Sequence, residues 1–335
     1  MRPWQLFVTA VLVWGTTWHA IHYQLPHVTP EVGVALRFGL AGAGLLLICI
    51  WRGERWRLTR AEHLRVAFQG VFMYSVAYLC AYHGERHVPS GLVAVGYSAS
   101  PLVMGVASHL LWRTPLTRRL LMGGTLGLAG VVLIFWPEIR AALSGDYSRW
   151  MGDAANLPAG AHRITGQAAL GLAFTVGAVL LSAVGSLVAS RNASVGLSLW
   201  PTMAWGMLWS SLVSGAVALA LGHTLVLPAS LSFWLSLLYL SAFGSVVAFA
   251  CYLLLQQRWG PGQASMVGVA TPVLALTVSS VFEGYRPGLL ALVGVGLAVA
   301  GNWLALRPSK PAAQAAGSAA SAAAADSDKK PASAT

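Results

Sequence analysis

Long apolar stretches alternate with short polar, arginine-bearing clusters along the chain up to residue 306. Ten of them approach the ~20 residues that cross a bilayer as a helix: 5–23, 33–51, 66–83, 88–112, 119–136, 167–190, 198–220, 231–255, 263–282 and 288–306. Several hold Gly, Pro or a polar residue, which spanning helices tolerate where neighbours satisfy the freed backbone groups. The first stretch lacks a clear small-residue cleavage site, so it reads as a span and not as a signal peptide. The pattern predicts an all-α integral membrane protein of ten transmembrane helices.

The longest polar connection, 137–166, carries Gly145, Gly152, Pro158 and Gly160 and divides the spans five and five. It predicts a first five-helix repeat in 1–136, a periplasmic linker at 137–166 and a second repeat in 167–308. Residues 309–335 are rich in Ala, Ser, Lys and Asp, with no aromatic or branched apolar residue. Such a segment has nothing to bury, so a disordered cytoplasmic tail is expected.

The two halves share a Pro/Gly frame. Pro101, Gly123, Gly130 and Pro137 recur as Pro272, Gly294, Gly301 and Pro308, at a constant offset of 171. Arg86 and Pro89 are likewise echoed by Arg258 and Pro261, three apart in both cases. These residue types fix backbone geometry, so shared spacing implies shared helix ends and close contacts. A repeat with an odd number of spans enters the membrane from opposite sides in its two copies. Two inverted five-helix repeats are therefore expected, with a substrate site between them near the midplane.

Composition agrees. The chain has 335 residues, 56% hydrophobic and 9% charged; a soluble domain carries about a quarter charged residues. The net charge of +11 does not indicate nucleic acid, because no aromatic-basic interleaving accompanies it. With the N-terminus inside, 15 of the 21 Lys and Arg fall on cytoplasmic segments and five on the opposite side, with Arg37 inside the second span. The positive-inside rule then places both termini in the cytoplasm, and the lipid bilayer is the partner of the basic loops. Cys49, Cys80 and Cys251 sit in apolar runs without CxxC or Cys/His clustering, so neither a disulfide frame nor a metal site is indicated. No cofactor is expected.

Motifs in both halves carry a resemblance. The first half has WGTTW (14–18), PEVGVALRF (30–38), ERHVPSGLVAVGYSASPL (85–102) and GGTLGLAGVVL (123–133). The second has QQRWGPGQASMVGVATPVLALTVSSVFEGYRP (256–287) and GVGLAVAGNWL (294–304). In this doubled order the chain resembles an EamA-type member of the drug/metabolite transporter superfamily over about residues 8–306. The resemblance implies ten helices in an inverted repeat and movement of small metabolites across the cytoplasmic (inner) membrane, often as export. It also implies a Gly-Glu pair near the ends of helices four and nine. Here helix nine has Glu283, whereas helix four ends Trp112-Arg113-Thr114 without an acid.

Ionisable groups within spans are costly and hence candidates for function. Glu283 either takes up a proton or closes a gate, or else caps a helix or pairs with Arg286. Arg37 either binds a substrate carboxylate or snorkels to the interface. His19 and His22, three apart in helix one, are either a proton relay or interface residues. His83 and Glu85 end helix three, and His109 is expected to pack or bond to backbone. Trp14, Trp18, Tyr78, Trp205 and Tyr252 form a polar-aromatic set that suits a cavity for amphipathic or zwitterionic molecules; amines would add cation–π contact. Pro101, near Tyr97 and Ser98, and Pro272, near Ser265 and Thr271, free backbone carbonyls that either bind substrate or only allow a kink.

The expected function is a secondary transporter of small molecules such as amino acids, by alternating access and exporting. Proton coupling and a homodimer stay open. No Walker motif is present to couple ATP. A passive channel or scaffold is the alternative. An intramembrane enzyme is less favoured, since the Ser98 context lacks the required following Gly and no HExxH occurs.

Overall fold

The computed structural model describes residues 1–88, 90–114, 116–134, 136, 140, 168–224, 227–282 and 288–306. The described residues form helices and connecting turns, without strands. In chain order the helices are α1 (Pro3–His22), α2 (Pro30–Trp51), α3 (Arg60–Glu85), α4 (Ser90–Gly96, continuing through Tyr97–Ala99 to Ser100–Trp112) and α5 (Arg118–Ile134). They continue with α6 (Ala168–Ser194), α7 (Leu199–Ala220), α8 (Leu231–Trp259), α9 (Pro261–Phe282) and α10 (Leu289–Leu306).

Seven of these, α2, α3, α4, α6, α7, α8 and α9, are long and apolar enough to cross a membrane. The chain is a multi-pass membrane protein. Each expected span overlaps an observed helix, although α1, α5 and α10 are not among the seven. The largest difference is at α3, which starts at Arg60 and not at 66. A capping box explains it: the Thr59 N–H donates to Glu62 Oε2 at 2.7 Å, and the Glu62 N–H to Thr59 Oγ1 at 3.3 Å. Arg55 Nη2 adds an ion pair to Glu62 at 2.9 Å. A polar first turn thus precedes the apolar stretch and was invisible to a search for hydrophobicity alone.

Large apolar side chains such as Leu47, Leu110, Leu231 and Leu289 point outward, as lipid-facing positions do. Inside, short polar side chains tie helices together: Ser75 Oγ to Ser214 Oγ at 2.7 Å, and Asn192 Nδ2 to Gln69 Oε1 at 2.8 Å. Hydrogen bonds of this kind join helices where apolar burial gives little drive.

The packing partners repeat. Helix α5 lies along α10, α2 along α7, and α4 along α9. Helix α1 packs on α8 and α9, as α6 packs on α3 and α4; α2 touches α8, as α7 touches α3. Exchanging each helix of the first five with the one five places on returns the same pairs. The glycine frame sits on this relation. A Cβ on Gly130 would strike the Gly294 carbonyl, one on Gly294 the Gly130 carbonyl, and one on Gly301 the Gly123 carbonyl. Adding 171 to Gly130 and subtracting it from Gly294 gives the Gly301–Gly123 pair. The repeated glycines therefore meet each other across the α5–α10 contact.

Two helices share a further irregularity. Val71–Val76 in α3 and Leu240–Val247 in α8 are wound as π-helix, at nearly the repeat offset. Such turns are rare and cluster at functional sites.

Candidate functional site

Between the halves lies a cavity with about 800 Å³ of empty space, open solvent at its mouth included. Its wall takes residues from α1, α2, α3, α4, α6, α8 and α9. The floor is the α4–α9 crossing. Proline lacks an N–H, so Pro101 cannot close an α-turn onto Tyr97; the Ser100 N–H bonds to the Tyr97 carbonyl instead, in a short 3-10 turn. Pro272 has the same relation to Gly268 in α9. Tyr97 and Gly268 are repeat equivalents, both line the cavity, and a Cβ on Gly268 would come within 2.8 Å of the Tyr97 carbonyl. The repeat prolines therefore flank a close approach of the two halves.

Aromatic side chains form most of one wall. Trp14 sits 5.0 Å from Phe249 and 5.4 Å from Tyr252, and Trp18 5.4 Å from Tyr97. Trp14 Nε1 donates to the Gly244 carbonyl at 3.1 Å, inside the π-helical turn of α8. Tyr252 Oη bonds Ser186 Oγ at 2.8 Å, and Gln256 Nε2 donates to that same oxygen at 2.8 Å.

Arg37 is the one charged side chain among the described wall residues, and it is 1% exposed. Its Nε donates to Ser245 Oγ at 2.9 Å, and Nη1 to Tyr82 Oη at 3.4 Å. Tyr82 Oη donates its own hydrogen bond to Gln24 Oε1 at 3.1 Å. The guanidinium lies 4.7 Å from the Tyr78 ring centre and 5.2 Å from that of Phe38, within cation–π range. The π-helical turn of α8 holds both ends of this residue, since Ser241 Oγ donates to the Arg37 carbonyl at 3.0 Å. Gly244 leaves the room: a Cβ there would stand 3.1 Å from Arg37 Nη2 and 2.7 Å from Thr17 Cγ2.

Of the expected cavity residues, the structure gathers Trp14, Trp18, Arg37, Tyr78, Tyr97, Tyr252, Ser265 and Thr271 around this space. Ser98 and Trp205 lie outside it. Ser98 is buried, with its carbonyl near Gly127 of α5. Trp205 donates to the Trp56 carbonyl at 2.8 Å and packs on His63 at 4.7 Å, at the opposite end of the bundle from the 221–230 connection. Pro101 and Pro272 are both buried. His22 lies at the end of α1, beside His19 and Tyr23, away from the wall. Glu283 lies outside the described residues, as do Arg286, the 137–166 linker apart from Arg140, and the tail. His109 bonds the Thr114 carbonyl at 2.7 Å. Residues such as Thr17, Met73, Ser182, Ser186 and Phe249 also line the space; nothing in their spacing sets them apart from ordinary packing positions.

A polar cluster lies at the N-terminal end of α2. Glu31, buried, meets His83 Nε2 at 2.7 Å and comes within 3.3 Å of His223 Nδ1. His83 and His87 both stack on Phe174, at 5.2 and 6.2 Å. This cluster joins α2 and α3 to His223, just after α7 in the second half.

Comparison with known proteins places this geometry. The EamA-like transporter family matches residues 3–136 and again 169–307. Protein PagO of Salmonella typhimurium is 25% identical over 84% of this chain and 84% of its own length. The uncharacterized inner membrane transporter YedA of Escherichia coli is 26% identical over 86% of this chain and 85% of its own. An uncharacterized transporter of Archaeoglobus fulgidus is 24% identical over 92% and 99%. A crystal structure with a TM-score of 0.66, at 19% identity, covers 90% of this chain and 96% of its own, and shares the fold. Two matched stretches that each contribute walls to one cavity make the chain a membrane transporter of the EamA-like transporter family.

Proposed function

We propose that this transporter is a secondary carrier that exports small amphipathic metabolites across the cytoplasmic membrane by alternating access. Ten spans, arranged as two inverted five-helix halves with both termini in the cytoplasm, form its frame. The observation that carries the reading is the cavity at the α4–α9 crossing, where repeat-equivalent Tyr97 and Gly268 meet and both halves supply wall. Inverted halves have two equivalent ways to pack, one opening to each side, and each leaves the site between them near the midplane. The aromatic wall suits an apolar body, and Arg37, Tyr252, Ser186 and Ser265 supply polar contacts.

Metabolite profiling of culture medium tests the export direction. Overexpressing cells are expected to enrich the medium in one or a few small metabolites that deletion cells lose. Indistinguishable media from the two strains would contradict export.

A further inference from the structure

We infer that the cavity selects organic carboxylates: compounds with an apolar body and one anionic oxygen group, for which an amine is not required. The inference rests on the transport reading only in taking this cavity for the substrate site.

The argument is an inventory of unsatisfied groups. Arg37 Nη2 is buried and has no hydrogen-bond partner among the described residues. Trp18 Nε1 is in the same condition. Both belong to residues of the cavity wall, and both are donors only. No orphaned buried acceptor occurs on that wall among the described residues. A buried donor without a partner costs about 1–3 kcal/mol, more when charged, so a ligand that brings an acceptor gains where one that brings a further donor does not.

Charge points the same way. Arg37 is the wall's one charged side chain among the described residues, and no described carboxylate or imidazole lines the space. Glu85, buried on α3 beyond Tyr82, acts on Arg37 electrostatically but contributes no atom to the wall. An organic cation entering this space would therefore meet a guanidinium with no facing acid. Of the wall's aromatic faces, that of Tyr78 already receives the guanidinium itself, 4.7 Å from the ring centre. An anionic oxygen group instead matches the donors left over: Arg37 Nη2, on a guanidinium held by Ser245 and Tyr82, and Trp18 Nε1. The ordering of Arg37 has thus been met before the ligand arrives, and so detracts little from affinity.

The test is equilibrium binding to the purified full chain in detergent, read by thermal shift and calorimetry. Three probes share one body: 3-phenylpropanoate, 3-phenylpropanamide and 3-phenylpropylamine. The carboxylate is expected to bind at least about tenfold tighter than either analogue, the gain of one charge-assisted hydrogen bond. Arg37→Gln is expected to remove that preference while leaving the amide's affinity within about threefold. The wild-type ranking stands without the variant, should Arg37→Gln fail to fold. Equal or tighter binding of the amide or amine, or no saturable binding of the carboxylate, overturns the inference. Carboxylate preference without flux in proteoliposomes would sink the transport reading and leave this one; flux without the preference would do the reverse.

Discussion

Arg37 Nε donates to Ser245 Oγ at 2.9 Å, at the point where α8 is wound into a π-helical turn. Ser245 in turn donates to the Leu240 carbonyl five residues back, at 3.0 Å. One hydroxyl therefore fastens the buried cation and closes the wide turn. Ser245→Ala leaves a buried charged donor without this partner and removes a side-chain bond to the Leu240 carbonyl. A loss of about 1–3 kcal/mol is expected, read as a lowered Tm in detergent. An unchanged Tm would show that neither group depends on the hydroxyl.

The α5–α10 contact makes a sharper structural prediction. Gly294→Val places methyl groups against the Gly130 carbonyl, where no space exists. Overpacking of this kind costs about 1–3 kcal/mol. Gly296, two residues on, has nothing within 4 Å of an added Cβ. Gly296→Ala is therefore expected to be neutral or to stabilise by up to about 1 kcal/mol, through helix propensity. Equal effects at the two sites would contradict the close approach of the repeated glycines.

Glu31 links the halves at the N-terminal end of α2. Its carboxylate oxygens face His83 at 2.7 Å and His223 at 3.3 Å, the second contact lacking hydrogen-bond geometry. His83→Ala is expected to destabilise by about 1–3 kcal/mol, since it strips a buried carboxylate of a partner. His223→Ala is expected to cost less. Unfolding midpoints of the two variants decide the order.

His87 gives a pH dependence with a definite sign. Burial, with Arg86 and His83 adding, holds its imidazole below the usual histidine value. The folded protein then prefers it neutral, and the unfolded chain binds its proton first as pH falls. Stability from this group is present above the ordinary histidine range and is lost on acidification through the depressed value. His87→Gln is expected to reduce the fall in Tm on the acid side, measured between neutral pH and pH 5. A steeper acid fall in the variant would reverse the sign.

Topology is tested by labelling. In a background without native cysteines, Ala229→Cys is expected to react with a membrane-impermeant maleimide added to intact spheroplasts. Arg52→Cys is expected to react only after lysis. Both positions are exposed. The opposite pattern would invert the proposed orientation.

Much of this fold was legible because membranes leave few options. Apolar stretches mark the helices, and the repeated glycines mark where two backbones touch, since no other residue fits there. Arg37, Tyr97, Thr271 and the tryptophans of α1 announced the cavity because polar and aromatic groups are costly in lipid without a role. Trp205 shows where that logic stops. Its spacing from Trp209 matches that of Trp14 from Trp18, but spacing does not encode depth, and its indole serves the Trp56 carbonyl. The π-helical turns left no trace in the pattern, because a wider turn demands no particular residue. Glu31 and His223 were missed because they meet across 192 positions of sequence, and each alone looks like an interface residue.

Counterflow in proteoliposomes tests the central claim most directly. The probe is the radiolabelled form of the metabolite that culture-medium profiling identifies. Alternating access between inverted halves predicts saturable uptake that accelerates when unlabelled metabolite is loaded inside. Linear uptake, insensitive to the inner load, would contradict a carrier and describe a channel.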